Sequence, residues 1–320
     1  MTVRTLTPSD FDAHCRVSSA AFIWEYKPGE DTFPAHVTLL GCFDDGSGEL
    51  MADLEYFVRP VTWEGGTVPC VCIGGVASLP HRRHGGAVRA LFAELERRAE
   101  AEGWALGALY PFSDAYYRQF GYERRFHSLR LTVPMRVIVD FAGGVPRDEL
   151  GTLELYENGN LTEELLRVYN AFARQRPLMP HRDEISYKVH SDEADLPWFH
   201  SRPFEKCEYC YLWKSPAGAF EGYLQYTVDR STGTVHVGEF CPLTGAAMRG
   251  MLCFLRGYAS KAQSVVLTQL PPDSPVPAAL GEYSAMRAEL AFGPALRFYD
   301  SRVSPAALRD GPPPQFWDGF

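Results

Sequence analysis

The sequence lacks any apolar run approaching the roughly 18–20 residues a helix needs to cross a bilayer. Its opening, Met1-Thr2-Val3-Arg4, does not begin the apolar stretch of a secretory signal, so the chain reads as cytoplasmic with no membrane partner. It is also short of positive charge. Lys and Arg number 31 against 40 Asp and Glu, a formal net charge of −9, and phosphate binding needs a basic face, so nucleic acid is not expected as a partner. A cationic substrate fits better, although acidity also serves solubility. The eight cysteines are scattered at 15, 42, 70, 72, 207, 210, 241 and 253, too sparse and irregular for a disulfide framework. Cys207-Glu-Tyr-Cys210 has the spacing of half a zinc site, but no second pair follows at a finger-like interval, so no metal is expected and the thiols read as core.

What is present is enough apolar matter for a large core: 46% of 320 residues are hydrophobic, and that length suggests about two domains. A strand at Val3–Leu6 precedes a helix over about Ser9–Phe22, with Phe11, Cys15, Val17 and Ala21 at helical spacing. His36–Phe43 and Leu50–Val58 flank an Asp-Asp-Gly-Ser-Gly turn and predict an antiparallel hairpin. Val68–Ala77 is nearly all apolar or small and belongs inside a sheet. After it, Val88, Leu91, Phe92, Leu95 and Ala99 share one helical face. Trp104–Tyr110 predicts a strand, Ser113–Gln119 a short helix and Leu129–Val139 a further strand, after which Asp140–Pro146 reads as a linker.

The order then partly recurs. A helix at Leu161–Arg174 is followed by strands at Tyr209–Trp213, Phe220–Val228 and Thr234–Cys241, a helical run at Ala246–Ala259 and an apolar strand at Val265–Pro271. Gly74-Gly-Val-Ala-Ser-Leu-Pro80 finds an echo in Val237-Gly-Glu-Phe-Cys-Pro-Leu243, an internal repeat. The expected fold class is therefore α/β of mixed α+β character, with two tandem domains at 1–140 and 147–290 and a tail at 291–320 that is too apolar to stay free and should dock.

Between the central strand and its helix stands Arg82-Arg83-His84-Gly85-Gly86-Ala87. A diphosphate needs convergent amide donors and a positive end, which a glycine-permitted turn at a helix start supplies. Gly85 and Gly86 would let backbone approach the phosphates, and Arg82 or Arg83 would add charge. The competing reading is an ordinary strand–helix connection with surface arginines. The second copy has only Leu243-Thr-Gly-Ala-Ala-Met248 at this place and is not expected to hold a pyrophosphate.

Strand, basic glycine turn, amphipathic helix, apolar strand and then Tyr117-Arg-Gln-Phe-Gly-Tyr122 together resemble the GNAT acetyltransferase superfamily, whose Arg/Gln-x-x-Gly-x-Gly/Ala signature is matched by Arg82-x-x-Gly85-x-Ala87. More narrowly, Gly75–Gly85 with Tyr117–Tyr122 and a degenerate second half looks like the enhanced-intracellular-survival (Eis) family, most strongly over residues 70–125. The resemblance implies two tandem GNAT-like domains using acetyl-CoA. It implies Gly74, Gly75 and Val76 along the pantetheine, Arg83, His84, Gly85, Gly86, Ala87 and Val88 at the pyrophosphate, and Phe112 and Ser113 beside the thiol. It makes Tyr117 the general acid and the terminal carboxylate on Phe320 the general base. The family carries a third, sterol-carrier-like domain of about a hundred residues, whereas only about thirty follow position 290 here. The resemblance also implies a homo-oligomer.

The acceptor is expected among aromatics after the first helix, Phe22, Trp24 and Tyr26, with Asp31 or Asp318 meeting a cation and Glu55 as reserve base. The expected activity is N-acetyl transfer to a primary amine of a cationic small molecule or a protein lysine. Its alternative is a catalytically silent acyl-CoA-binding regulator.

Overall fold

Two seven-stranded mixed sheets form the chain, as described by a computed structural model for residues 1–25, 33, 37–157, 159–183 and 207–303. In the first half, strands β1 (Thr2–Thr5), β2 (Thr38–Phe43), β3 (Leu50–Trp63), β4 (Gly66–Ser78), β5 (Leu106–Leu109) and β6 (Glu123–Arg124) alternate with helices α1 (Phe11–Phe22), α2 (Ala87–Glu102) and α3 (Asp114–Arg118). There follow β7 (His127–Pro134), α4 (Met135–Gly143), β8 (Thr152–Leu155), α5 (Thr162–Ala173), β9 (Glu208–Lys214), β10 (Phe220–Asp229) and β11 (Thr234–Pro242). The chain continues through α6 (Gly245–Leu255), β12 (Ser264–Leu270), α7 (Val276–Leu280), β13 (Arg287–Phe292) and β14 (Ala295–Phe298).

The apolar patterning dictates the layers. Residues Cys70–Ile73 of β4 are buried on both faces, as befits an interior strand. On α2 the periodic residues Leu91, Phe92, Leu95 and Ala99 are buried against Leu40, Leu54, Val71 and Ile73, and Gly103 closes the helix in a left-handed conformation with φ 70°. Each such large side chain contributes about 1.5–3 kcal/mol on burial. In each half one parallel strand pair, β4 with β5 and β11 with β12, is joined through a crossover helix.

The strands are distributed across residue 140 instead of dividing there. The first sheet runs β1-β2-β3-β4-β5-β14-β6 and the second β13-β7-β12-β11-β10-β9-β8. Reversed, the second order repeats the first, with β7 in the place that β14 holds. Each half thus lends a strand to the other: β7 pairs with β12, and β14 pairs with β5.

Two expectations need correction. The strand foreseen at Leu129–Val139 ends at Pro134, and the linker foreseen at 140–146 begins inside α4. The run Val137-Ile-Val139 imitates a strand, yet Met135, Val137, Ile138 and Ala142 are buried at helical spacing in the second core. Residues 295–298 form β14 within the first sheet, while residues 304–320, most of the stretch expected to dock, lie outside the described ones.

The halves are further tied by backbone. Leu178 N–H donates to Thr62 O at 2.7 Å and Thr62 N–H to Met179 O at 2.9 Å. Within the second half, Arg182 and Glu239 form a buried pair at 2.7 Å, and Tyr223 donates its hydroxyl to the same carboxylate.

Gly250 of α6 is buried beside Trp213, whose indole N–H donates to Leu150 O at 2.7 Å, and a Cβ at 250 would collide with that nitrogen. Gly→Ala in an open helix stabilises by up to about 1 kcal/mol. Gly250→Ala is expected to reverse the sign and destabilise by about 1–3 kcal/mol. Urea unfolding beside Gly143→Ala, where a Cβ meets nothing within 4 Å, checks this, and equal midpoints for the two variants would contradict it.

Candidate active site

The site begins where a sheet opens. Strands β4 and β5 pair in parallel from Cys70 with Leu106 to Ile73 with Leu109, and there β5 ends. β4 continues to Ser78, still paired on its other side with β3. That pairing carries a bulge: Asp53 faces Ala77 and Glu55 faces Gly74, so two steps on β3 match three on β4. Gly75 absorbs the extra residue with φ +55°, a conformation that suits glycine. The edge from Gly74 onward therefore faces a gap in which a chain of amides can pair as a strand would.

The turn below leaves donors that an anion could accept from. Pro80–Arg82 form one 3-10 turn, His84 is left-handed at φ 66°, and Gly86 caps α2 at φ 87°. The first-turn amides of α2, at Ala87, Val88 and Arg89, have no acceptor within the helix and point out of its positive end. A Cβ on Gly85 would stand 3.2 Å from Arg82 O, so a larger residue there would push the turn open by a few tenths of an ångström. Arg82 itself is engaged: its guanidinium pairs with Glu49 at 2.6 Å and reaches Asp44 at 3.5 Å, fastening the turn to the β2–β3 hairpin. Arg83 and Arg89 are the exposed cations at the rim.

Two adjoining cavities follow. A cleft of about 750 Å³ is lined by Phe22, Val76–Ser78, Arg82–His84, Gly86–Arg89, Phe112, Tyr116, Gln119 and Phe120, with Ala21. A second cavity of about 610 Å³ shares Phe22, Val76 and Phe112 and adds Glu55, Gly74, Gly75, Tyr110, Tyr117 and Gln269. The first suits an elongated anionic cofactor, and the second sits at its far end. Within the second cavity Gly75 lies against Glu55, since a Cβ there would stand 3.2 Å from the Glu55 carboxyl carbon.

Glu55 is mostly withdrawn from water. Burial pushes its carboxyl up from the ordinary 4.5, His14 opposes this, and Asp53 adds to it. Asp53 is fully buried and accepts from, or donates to, His14 Nδ1 at 2.8 Å, and burial raises its carboxyl as well. Tyr117, at 4% exposure, lies among Phe92, Phe112 and Tyr116 with ring centroids 5.2–6.1 Å away. Burial holds its phenol protonated well above the usual range.

Comparison with known proteins agrees with this geometry. The family description "Acetyltransferase (GNAT) domain" matches residues 2–125, and a second GNAT acetyltransferase description matches residues 183–297. The chain belongs to the GNAT acetyltransferases. Among solved structures it is similar to a protein of unknown function, probable N-acyltransferase, from Enterococcus faecalis V583: TM-score 0.77, 21% identity, 94% of this chain and 73% of that one. It is also similar to Eis1 from Mycobacterium abscessus, with TM-score 0.71, 18% identity and coverage of 94% and 74%. A GCN5-related N-acetyltransferase from Kribbella flavida gives 0.68, 20%, 96% and 73%. These likenesses show the shared fold. No curated protein matches the sequence significantly.

The GNAT fold uses an acyl-CoA, and the sequence-predicted residues gather around the place for it. Val76, Arg82, Arg83, His84, Gly86, Ala87, Val88 and Phe112 line the cleft, while Gly74, Gly75, Glu55 and Tyr117 line the adjoining cavity; Phe22 touches both. Ser113 instead caps α3, its Oγ accepting the Tyr116 N–H at 3.3 Å, and Gly85 turns its own N–H to Arg82 O. Trp24 lines neither cavity, and Tyr26, Asp31, Asp318 and Phe320 fall outside the described residues. Among the described residues no group of three His, Cys, Asp or Glu side chains is arranged to hold a metal. Sequence reasoning missed Arg89 with its partner Gln119 (3.2 Å), whose signal was their place in the first turn of α2 and beside Tyr117. It also missed Gln269, for which the sequence carries no signal, because it arrives from the other half.

Gly75→Ala is expected to strain the bulge and displace Glu55, weakening CoA binding by about tenfold or more; titration calorimetry measures this. Arg83→Ala should weaken CoA with the fold's melting temperature unchanged, whereas Arg82→Ala should lower the melting temperature too, because it unfastens the turn from Glu49. Equal behaviour of the two arginine variants would contradict the division between them.

Proposed function

We propose that this GNAT acetyltransferase moves an acetyl group from acetyl-CoA to the primary amine of a cationic small molecule or of a protein lysine. The observation that carries the reading is Glu55, a carboxylate lining the cavity next to the cofactor gap, under a rim that includes the exposed rings of Phe22, Tyr110 and Phe112. One acid beneath an aromatic mouth favours an ammonium group. Gly74–Val76, the Arg83–Val88 amides and the Arg83 and Arg89 guanidinium groups would hold the cofactor, which when bound supplies an activated thioester. The glycines that leave room for backbone approach, and the cations at the rim, fit that anionic, amide-rich molecule.

Glu55 then takes a proton from the acceptor ammonium, freeing the nitrogen lone pair. Its raised proton affinity narrows the gap to an amine that it must deprotonate. Tyr117 holds the proton that the departing sulfur requires, and its buried phenol is protonated throughout the working pH range. Phe320, the base implied by family resemblance, lies outside the described residues; the proposal gives the role to Glu55 because its carboxyl lines the cavity and has a raised proton affinity. The proposed compartment is the cytoplasm, where thiols stay reduced, in keeping with eight unpaired cysteines.

Thiol release from acetyl-CoA over an amine panel tests the proposal. Tyr117→Phe is expected to lower kcat about 10²–10³-fold with CoA affinity retained. Because the Glu55 carboxyl is raised, it is ionised only above its shifted value, so kcat/KM should fall as pH drops through a point above the ordinary 4.5. Glu55→Gln should remove that limb. No thiol release with any amine, together with unchanged kinetics in Tyr117→Phe, would overturn the assignment.

A further inference from the structure

The second half retains a cavity at the place equivalent to the cofactor cleft. In the first half the cleft lies between the end of α1, β4, the start of α2 and the segment that follows β5, from Phe112 to Phe120. In the second, a cavity of about 150 Å³ lies between the end of α5, β11, the start of α6 and the end of β12. It has no basic turn, but it has a cation of its own: Arg176, just beyond α5, lines it.

That arginine is incompletely satisfied. Its guanidinium lies on the Phe172 ring, 3.6 Å from the centroid, and Nη1 donates to Phe172 O at 3.3 Å. Its Nε–H is closed to a water-sized probe and has no acceptor among the described residues, so an occupant of the cavity would meet the guanidinium through its Nη groups, of which Nη1 still has a second N–H beside the one given to Phe172 O. Burial works against the charge, with Cys241 and Asp273 the acidic groups near enough to oppose that effect. The remaining wall is largely apolar, through Phe240, Met248, Leu270 and Val276.

Size and chemistry select the occupant. At about 30 Å³ per water-sized unit the space holds roughly five to eight heavy atoms, far too few for a nucleotide. A planar head group that accepts two parallel hydrogen bonds matches a guanidinium, and the apolar wall matches a short alkyl tail. We propose that the second half binds a short-chain monocarboxylate, its head on Arg176 and its tail against Phe240, Met248 and Leu270. The next residue along β12, Gln269, lines the acceptor-side cavity of the first half, so the two sites lie on opposite faces of one strand end.

Calorimetric titration of the full chain with sodium butyrate at fixed ionic strength, with sodium phosphate and sodium chloride as comparators, tests this without reference to activity. Saturable one-to-one butyrate binding is expected in the millimolar range appropriate to so few atoms, undisplaced by saturating CoA. Arg176→Gln should weaken it by at least about tenfold, and Arg83→Ala should leave it unchanged. Ser274→Phe, which fills the cavity while keeping the charge, should abolish binding and decides the matter if Arg176→Gln does not fold by circular dichroism. The proposal is overturned if butyrate gives no saturable heat, if it competes with CoA, if a folded Arg176→Gln or Ser274→Phe binds like the parent chain, or if phosphate binds as well as butyrate.

Discussion

Everything at the site depends on two parallel strands parting company. β4 and β5 share hydrogen bonds only as far as Ile73 and Leu109, and a sheet left open in its middle exposes backbone amides that would otherwise be paired. The opposite side of β4 is held by β3, so the opening does not unravel the strand. The bulge at Gly75 bends this edge, and its positive φ lets the Glu55 carboxyl stand against a backbone with no side chain. Cofactor gap and acidic cavity therefore meet at Gly74–Gly75, where β4 has lost β5 on one side and is bulged against β3 on the other.

The first sheet is completed from elsewhere. β14, which follows the whole second half, covers the open side of β5, and Tyr299 just beyond it hydrogen-bonds Tyr122 at 2.7 Å, over the Gly107 backbone. In return β7 runs from the first half into the second sheet. Because each sheet has an inner strand supplied across the junction, neither hydrophobic core is whole without the other. This gives the cavity beside Glu55 a wall, Gln269, from the second half.

The two halves share a strand plan but differ where the crossover helix begins. Both halves keep the strand–helix–strand unit with its helix amino terminus, but only the first has the glycine-rich basic turn that widens its cleft to about 750 Å³. In the second, Thr244 caps α6 directly, its Oγ accepting the Ala247 N–H at 3.1 Å, and the cation comes from the opposite side of the cavity. Elsewhere in that half Arg182 and Glu239 form a buried pair, with the guanidinium stacked on Tyr169.

Elements whose order is local were legible from the residues alone. The stripe Leu91, Phe92, Leu95, Ala99 dictates a helix, the apolar stretch around Val71 an interior strand, and the glycines at 85 and 86 a turn able to take backbone to an anion. The same local reading failed where two periods coincide: Val137-Ile-Val139 suits either strand or helix, and contact with the second core decides for α4. Charge pairing was also beyond it. Arg82 and Arg83 are neighbours of one type, yet Glu49 claims the first and leaves the second at the rim. Backbone propensity and periodicity act over a few residues, so the sequence determined the segments and the glycine-rich basic turn between β4 and α2. Strand exchange, the Gly75 bulge, the burial of Glu55 and the arrival of Gln269 arise from pairings between distant residues, whose closure depends on the whole assembled core, and only the tertiary structure decided them.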